Sequence, residues 1–357
     1  MLSEIRRYYY AGKVFRFFVH HPYIYQSVLR DVWQKKVLGS DHERPRNIIL
    51  KLSARCNAFC EFCYAKNDTQ SAQPEVTLEE WKEVIDQAKT LGCYTVTLSG
   101  GEPFVYPKLA DLVAYVRQKR MVSFTTTNGL AVSKKRLKDL EAAGLCALNF
   151  SIHGPREFHD KLVGVSGAYD RILEMGEYCA RQTSIITLAN HVLTRESIRQ
   201  GWYQQLWDTV RLLGFRGFNV LPVCMSDPDT SGLLTPEELK VFDDLADKPW
   251  VLMDTKNYSL PRCPAAKEEI FINNFGEAQP CAFIPISFGN VRKDSLATLL
   301  ERIKTDAMFQ KTSPVCLAAR DHAFIDQYLV PAFKNEKLPT PIEEIRDAAE
   351  NGHRPLQ

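Results

Sequence analysis

Three cysteines, Cys56, Cys60 and Cys63, lie in one short stretch of the chain at the spacing C-x3-C-x2-C. The stretch directly follows the apolar run from Ile48 to Leu52. Thiolates hold iron–sulfur cubes, and a protein cube usually takes four of them. Because this run supplies three cysteines and then stops, the spacing predicts a cube with one iron left open. An open position on the metal is what catalysis requires, by analogy with catalytic zinc sites.

Two other interpretations of these cysteines remain open. One is a three-cysteine zinc site that lacks a ligand, and the other is three unrelated core thiols. The first residues, MLSEIRRYYY, lack the apolar centre of a signal peptide. In a reducing cytosol, cysteines act as metal ligands or catalysts rather than as disulfides. We therefore expect a cytoplasmic protein whose ten cysteines include cluster ligands.

The cysteine stretch resembles the signature of the radical S-adenosylmethionine (SAM) superfamily, C-x3-C-x-aromatic-C, with Phe62 in the aromatic position. The resemblance implies a 4Fe–4S cluster on Cys56, Cys60 and Cys63, with SAM chelated to the fourth iron and Phe62 among the cofactor contacts. It also implies reductive cleavage of SAM to a 5′-deoxyadenosyl radical, which takes a hydrogen atom from a substrate. The resemblance extends over about residues 46–225.

The same resemblance assigns further residues to the SAM site. Gly100-Gly101-Glu102, ahead of Pro103, matches the stretch that meets the SAM amino group, and glycines let a backbone approach a ligand closely. Each remaining candidate has an ordinary alternative as a turn residue or a satisfied loop polar group. They are Ser151 for the SAM carboxylate, Asn190 for its ribose or carboxylate, Arg195 as a further carboxylate partner, Asn128 in Thr-Asn-Gly, and His153 facing the substrate.

Cys263, Cys281 and Cys316 form a second group. The arrangement Cys263-x12-Gly276-x4-Cys281 resembles the start of the auxiliary-cluster extension called the SPASM or twitch domain. The full seven-cysteine version is absent, because only Cys316 remains downstream. The resemblance therefore implies one auxiliary 4Fe–4S cluster on three cysteines, whose fourth position is open or filled by His322 or a substrate atom. The alternative is three unrelated thiols.

The other four cysteines are interpreted from their positions. Cys224 follows the sixth predicted strand, where it would donate a hydrogen atom to a substrate radical, as in radical epimerases. Its alternatives are packing and ligation of the auxiliary cluster. Cys93, Cys146 and Cys179 lie within helix and strand patterns, in which free cysteine behaves as a small buried hydrophobe.

Strand-like and helical patterns alternate six times from residue 47, which predicts a parallel sheet. Six units are too few for an eight-fold barrel, so the expected fold is α/β, a partial (β/α)6 TIM-like barrel of the kind that the resembled family has. The motifs above fall at predicted strand ends, the face that carries the chemistry of parallel barrels. The predicted strands are Ile48–Ser53, Thr95–Leu98, Val122–Thr126, Ala147–Ile152, Ile185–Leu193 and Gly217–Val223.

Four regions are predicted. They are an N-terminal helical extension (1–45), the barrel (46–250), an auxiliary-cluster domain (251–330) and a C-terminal tail at the surface (331–357). The extension is aromatic and basic, with apolar residues at helical spacing after Pro22. We expect it to pack on the barrel, and the alternative is an amphipathic segment that contacts a membrane surface or a lipid substrate.

The net charge of +2 gives no bulk electrostatic case for nucleic acid, and no apolar run is long enough to span a membrane. The predicted function is a radical SAM oxidoreductase or modifying enzyme that carries out a two-electron oxidation. An external donor such as a ferredoxin or flavodoxin would supply electrons, and the substrate would be a peptide, sugar or lipid. The alternatives are a radical epimerase that uses Cys224 and a non-catalytic iron–sulfur carrier or sensor.

Overall fold

The structure, a computed structural model, describes residues 26–27, 29–30, 33, 44–60, 62–67, 73–246, 248, 250–252 and 263–352. Apart from a few scattered positions, the predicted N-terminal extension and its membrane-contacting alternative lie outside the described residues. All ten cysteines lie within them, and none is in a disulfide. No helix in this part of the chain is both long enough and apolar enough to cross a bilayer.

A nine-stranded sheet lies at the centre of the described structure. Its strands are β1 (Asn47–Lys51), β2 (Thr95–Ser99), β3 (Val122–Thr127), β4 (Ala147–Ser151), β5 (Ile186–Leu193), β6 (Gly217–Pro222), β7 (Val251–Leu252), β8 (Glu269–Ile272) and β9 (Ala278–Gln279). Their order is β7-β6-β5-β4-β3-β2-β1-β8-β9, and every pair is parallel except β8 with β9. Because β1 to β6 run in chain order with helices between them, the predicted partial barrel is confirmed.

The helices between the strands pack apolar faces on the sheet. The first of them illustrates why they form: Thr77 and Glu80 make the predicted capping box, and Trp81, Val84 and Ile85 bury one face. The helices are α1 (Leu78–Thr90), α2 (Leu109–Gln118), α3 (Lys134–Ala143), α4 (Arg156–Val163), α5 (Ala168–Gln182), α6 (Arg195–Arg199), α7 (Trp202–Leu212), α8 (Pro236–Ala246), α9 (Leu296–Thr305), α10 (His322–Phe324), α11 (Val330–Phe333) and α12 (Ile342–Gly352).

The helix expected from about Glu196 to Leu213 is wrong as a single element. It divides into α6 and α7 at Gly201, whose backbone is left-handed with φ of 65°. Glycine adopts that conformation without the steric cost that a side chain would add, so it ends one helix and begins the next. Helix α4, which starts after Pro155, was not predicted at all.

The C-terminal segment joins the barrel directly, since β8 lies beside β1. The predicted hairpin of β8 and β9 is present, but its second strand is shorter than Ala278–Phe283. Pro280 has no N–H for a ladder, and Cys281 begins a tight turn closed by a hydrogen bond from the Ile284 N–H, at 3.2 Å. The domain boundaries stay a prediction. Strand β8 of this segment lies next to β1, the strand that leads into the cysteine loop.

Two further contacts fix this segment. The guanidinium of Arg292 binds both carboxylate oxygens of Glu80 at 2.6 and 3.0 Å, which ties it to α1. The tail was expected at the surface, but Ile342 and Ile345 are buried. A short parallel pair of strands, β10 (Ile286–Ser287) with β11 (Thr340–Pro341), leads into α12 and anchors it.

Candidate active site

The cysteine loop begins where β1 ends, on the face of the barrel formed by the carboxyl ends of the strands. Cys56 is exposed, whereas Cys60 and Cys63 are partly buried. The Ala58 N–H donates to the Cys56 sulfur at 3.4 Å. Partial burial raises the pKa of the Cys56 thiol, the Ala58 N–H opposes this, and the charges of Glu102 and Cys63 raise the pKa further. Cys56 and Cys63 are therefore close enough to interact.

The glycine pair after β2 supports this loop. The Gly101 N–H donates to the Ser53 carbonyl at 2.8 Å, and the Glu102 N–H donates to the Arg55 carbonyl at 2.9 Å. A Cβ on Gly101 would lie 2.4 Å from the Arg55 oxygen. The close backbone approach predicted for Gly100 and Gly101 thus occurs against the residues that precede Cys56. Their contact with SAM stays a prediction.

Glu102 joins two loops from a buried position. Its carboxylate accepts hydrogen bonds from the Phe104 N–H at 3.0 Å, the Thr127 hydroxyl at 2.8 Å and the Asn128 N–H at 2.7 Å. Burial raises the pKa of Glu102 to about 7, although these donors oppose the shift. Both oxygens are engaged by the chain itself, so Glu102 positions the loops after β2 and β3. Its predicted contact with SAM remains untested.

Asn128 reaches the cysteine loop from the end of β3. Its amide NH2 donates to the Asn57 side-chain oxygen at 2.9 Å and lies 3.7 Å from the Cys56 sulfur. Its own side-chain oxygen accepts from the Leu130 N–H at 3.0 Å, as in an Asx turn. Asn128 is therefore a turn residue that also contacts the cysteine loop, so the two predicted interpretations are compatible.

Polar residues form a row across three neighbouring strands, at the end of β4 and in the middle of β5 and β6. Ser151 pairs in register with Asn190, and Asn190 pairs with Asn219. The Asn219 amide donates to the Asn190 oxygen at 2.9 Å. Residues in register share a face of the sheet, so Ser151 and Asn190 are brought together as candidates for SAM. Asn219 was not predicted as a candidate, although it is a polar residue inside the largely apolar β6.

Arg195 lies at the start of α6 and already has partners. Its guanidinium donates to the Glu238 carboxylate at 3.2 Å and to the Leu233 carbonyl at 2.5 Å. Its proposed role as a partner of the SAM carboxylate would have to coexist with this ion pair. That role stays a prediction.

His153 is buried behind the cysteine loop. The Phe62 ring meets it edge-on, with ring centroids 4.9 Å apart. On its other sides lie His159, at 5.9 Å between centroids, and His191, at 6.3 Å. Burial lowers the pKa of all three imidazoles, to about 4 for His159 and His191. Of this neutral cluster, only His153 was predicted as a site residue, and His159 and His191 were not.

We expect the histidine cluster to make the protein sensitive to mild acid. A histidine with a lowered pKa in the folded state takes up its proton mainly after unfolding, so stability is lost as pH falls. The window runs from the unfolded pKa of about 6.5 down to about 4 for His159 and His191. The loss should approach about 1.4 kcal/mol per pH unit for each histidine.

Urea unfolding of the parent protein and of a double variant, His159→Gln with His191→Gln, measures this loss between pH 7.5 and 5. The raised pKa of Glu102 gives a slope of opposite sign, but it is present in both proteins and cancels in the difference. Identical pH slopes for the two proteins would contradict the expected role of the cluster.

The second cysteine group converges near the ends of β6 and β9. The Cys263 N–H donates to the Ser313 carbonyl at 2.9 Å, and the Ala266 N–H donates to the Pro280 carbonyl at 3.1 Å. These bonds bring three separate segments together. Burial raises the pKa of the Cys263 and Cys281 thiols, and nearby backbone N–H groups of Leu317, Ala265 and Phe283 oppose this rise.

Cys224 lies with this group. Its thiol donates a hydrogen bond to the Pro222 carbonyl at 3.5 Å and lies beside the Cys316 thiol, where the charges of Cys281 and Cys263 also act on it. The Cys316 contact, burial and these charges together hold the pKa of Cys224 well above its usual range. The predicted hydrogen-atom donor is thus one of four adjacent thiols. His322, in contrast, is exposed at the start of α10.

Both cysteine groups fit iron–sulfur clusters by their donor chemistry. The Cys56 sulfur already accepts the Ala58 N–H, and backbone N–H groups lie near the Cys263 and Cys281 sulfurs. Such groups stabilise thiolates and tune cluster potentials. In the described residues, no three histidine, cysteine or acidic side chains are close enough to hold one ion. In a cube each thiolate binds its own iron, so its ligands are farther apart than those of a single zinc ion.

The two cysteine loops touch through aromatic residues that the sequence analysis did not select. Tyr64 follows Cys63, and its ring lies 5.2 Å from that of Phe283, which is two residues after Cys281. The Tyr64 hydroxyl is 2.6 Å from the Ser99 hydroxyl, which fixes the ring. Nearby, the buried Lys51 ammonium donates to the Ala65 carbonyl at 2.8 Å. The loops are therefore in contact and supported from β1 and β2.

A parallel partial barrel with three cysteines after its first strand, and a further cysteine group beside it, defines the class of radical SAM enzymes with an auxiliary cluster domain. The family model of the radical SAM superfamily matches residues 50–200, and that of the SPASM iron–sulfur cluster-binding domain matches residues 263–321. Residues 50–200 are therefore assigned to the radical SAM superfamily, and residues 263–321 to a SPASM domain. The chain's cofactors are accordingly a 4Fe–4S cluster, SAM and an auxiliary iron–sulfur cluster.

Similar proteins are enzymes of this kind. The AdoMet-dependent heme synthase of Methanosarcina barkeri is 23% identical over 72% of this chain and 82% of its own length. The subtilosin biosynthesis protein AlbA of Bacillus subtilis is 24% identical over 77% and 64%. The Fe-coproporphyrin III synthase of M. barkeri is 31% identical over 43% of this chain, which spans only 38% of that relative's length.

Solved structures share the fold. SuiB of Streptococcus suis, bound to its precursor peptide SuiA, aligns with a TM-score of 0.59 at 19% identity, over 75% of this chain and 66% of its own. The enzyme anSMEcpe with AdoMet and the Cp18Cys peptide aligns with a TM-score of 0.58 at 14% identity, over 86% and 97%. At these identities the likeness concerns the fold alone.

Proposed function

We propose that this protein is a radical SAM oxidoreductase that removes two electrons from its substrate. The observation that carries the proposal is the contact between Tyr64 and Phe283, because it joins the catalytic cysteine loop to the auxiliary cysteine group. An auxiliary site that adjoins the catalytic centre is placed to accept an electron from a substrate held between them. A redox-neutral reaction has no need of such an acceptor.

Cys56, Cys60 and Cys63 would hold the catalytic cluster, which would supply the one-electron cleavage of SAM and thereby the removal of a hydrogen atom from the substrate. Cys263, Cys281 and Cys316 would hold the auxiliary cluster, which would accept the second electron, while a base or water would take the second proton. Gly101 and Glu102 hold the catalytic loop in place for this reaction.

Three neighbouring strands carry polar groups that would suit SAM. Ser151, Asn190 and Asn219, which are in register, would offer a hydroxyl and two amides to the carboxylate and ribose of SAM. Electrons would come from an external one-electron donor such as a ferredoxin or flavodoxin, in a reducing cytoplasm.

The relatives bear on the substrate class. Those found include proteins named as a PqqA peptide cyclase, a bacteriocin biosynthesis protein and heme synthases. Peptides and tetrapyrroles are therefore the first classes to test, ahead of the sugars and lipids that the sequence also left open.

Dithionite-reduced protein is expected to convert SAM to 5′-deoxyadenosine, and the correct substrate should stimulate this conversion. The screen uses peptide, Fe-porphyrin, sugar and lipid panels under anaerobic conditions, with 5′-deoxyadenosine measured by chromatography. The product of the stimulating substrate should weigh two hydrogens less than the substrate and, in heavy water, should carry no deuterium at the reacting carbon.

An epimerase would give a different product in the same experiment. Its product in heavy water would have one substrate hydrogen replaced by a solvent deuterium, because the donating thiol exchanges its proton with heavy water. That result would overturn the proposed oxidation while leaving radical SAM chemistry intact.

A further inference from the structure

The three cysteines of the auxiliary group leave one iron of a cube without a protein thiolate, and a fourth thiol lies beside them. Cys224 is two residues beyond the end of β6, in a different part of the chain from Cys263, Cys281 and Cys316. Its thiol donates to the Pro222 carbonyl at 3.5 Å and lies beside the Cys316 thiol. The tertiary fold, rather than any sequence spacing, brings these four residues together.

An independent contact fixes Cys224 against this group. Arg320 binds both carboxylate oxygens of Asp243 at 2.7 and 2.9 Å. Asp243 belongs to α8, the helix that follows Cys224, and the Arg320 N–H donates to the Cys316 carbonyl at 2.9 Å. The bidentate pair therefore clamps the loop that carries Cys316 onto the barrel unit that carries Cys224.

The other candidates for the fourth position are placed elsewhere. Cys93 lies two residues before β2 and Cys146 directly precedes β4, so both are at the opposite end of the barrel from the open face. Cys179 is buried on α5 and bonds to Thr183. His322 is exposed. Among the ten cysteines, Cys224 is the one left to complete the group.

We propose that Cys224 is the fourth ligand of the auxiliary 4Fe–4S cluster, which therefore has four protein thiolates and no open iron. This inference rests on the auxiliary cluster of the proposed function and defines its chemistry. A cluster without an open iron accepts an electron from the substrate but does not bind the substrate through iron. A thiolate bound to iron also carries no S–H, so Cys224 would not donate a hydrogen atom.

The test isolates the auxiliary cluster by replacing Cys56, Cys60 and Cys63 with alanine. This background protein, reconstituted anaerobically, should hold about four irons and should show no electron paramagnetic resonance (EPR) signal when oxidised. Adding Cys224→Ala should lower the iron to about three per chain and produce the EPR signal of an oxidised 3Fe–4S cluster. Adding Cys224→Ser should keep about four irons with a shifted reduction potential, because oxygen replaces sulfur at one iron.

Matched controls separate ligation from packing. Cys146→Ala removes a buried thiol far from the group and should change neither iron nor EPR spectrum. Circular dichroism verifies that each variant is folded. If the Cys224→Ala variant does not fold, the Cys224→Ser variant still decides the test.

Two failures are distinguishable. If both Cys224 variants keep four irons with the background's EPR spectrum and reduction potential, Cys224 is not a ligand, although the auxiliary cluster and the proposed oxidation survive. If the background protein itself binds no iron, no auxiliary cluster exists, and both the inference and the proposed oxidation fail.

Discussion

Replacing Cys56, Cys60 and Cys63 by alanine is expected to abolish the release of 5′-deoxyadenosine from SAM under dithionite. No iron remains at the loop to chelate SAM or to pass it an electron. Two cubes hold about eight irons per chain, so the variant should keep about half of the parent's iron. Iron analysis and chromatography of anaerobically reconstituted protein measure both effects.

The matched control for this variant is Cys93→Ala. Cys93 is buried in the core before β2, so its replacement should leave both iron content and SAM cleavage close to those of the parent. SAM cleavage that persists in the triple variant would refute the assignment of the catalytic cluster. A parent protein with only about four irons would refute the auxiliary cluster.

Gly101→Ala should be nearly as damaging, although glycine has no chemical group to lose. The added Cβ would lie 2.4 Å from the Arg55 carbonyl oxygen and 2.7 Å from that of Ala54. Both are backbone atoms of the cysteine loop, so neither can turn aside as a flexible side chain could. We expect the loop to be displaced, with loss of catalytic iron. SAM cleavage should slow by at least about tenfold, because an increase of about 1.4 kcal/mol in the activation free energy already has that effect.

Gly232→Ala is the control for this substitution, because an added Cβ there meets nothing within 4 Å. It should behave as the parent does. In Gly101→Ala the iron of the auxiliary site should remain, since that site is built from other segments. Full iron and full SAM cleavage in Gly101→Ala would show that the loop tolerates the shift and that the glycine pair does not support it.

The local cysteine pattern was sufficient to predict the catalytic loop and the class of enzyme. Cys56, Cys60 and Cys63 are within eight residues of one another, so their proximity follows from the chain itself. The six strand–helix units could also be predicted, because their signals are local. Strands show alternating or continuous apolar residues, and helices show caps and an amphipathic pattern. The helical pattern was nevertheless wrong at one point. It predicted a single long helix where Gly201 separates α6 from α7.

The auxiliary group shows where local reasoning ends. Long stretches of chain separate Cys224, Cys263 and Cys316. No sequence pattern predicts which of these cysteines lie close together in the fold. Their convergence depends on β8 pairing beside β1 and on Arg320 binding Asp243. Such contacts form only when the whole barrel closes around them.

The sequence by itself determined the chemistry that this protein carries: a three-cysteine loop after a strand, a glycine-rich turn, and thiols in a C-terminal segment. The tertiary structure alone decided which groups act together. It placed Cys224 with the auxiliary thiols, turned both oxygens of Glu102 toward its own chain, and set Tyr64 against Phe283. The physical reason is the distance along the chain over which a pattern acts. Residue spacing determines contacts within a few helical turns, whereas these contacts join distant segments that only tertiary packing brings together.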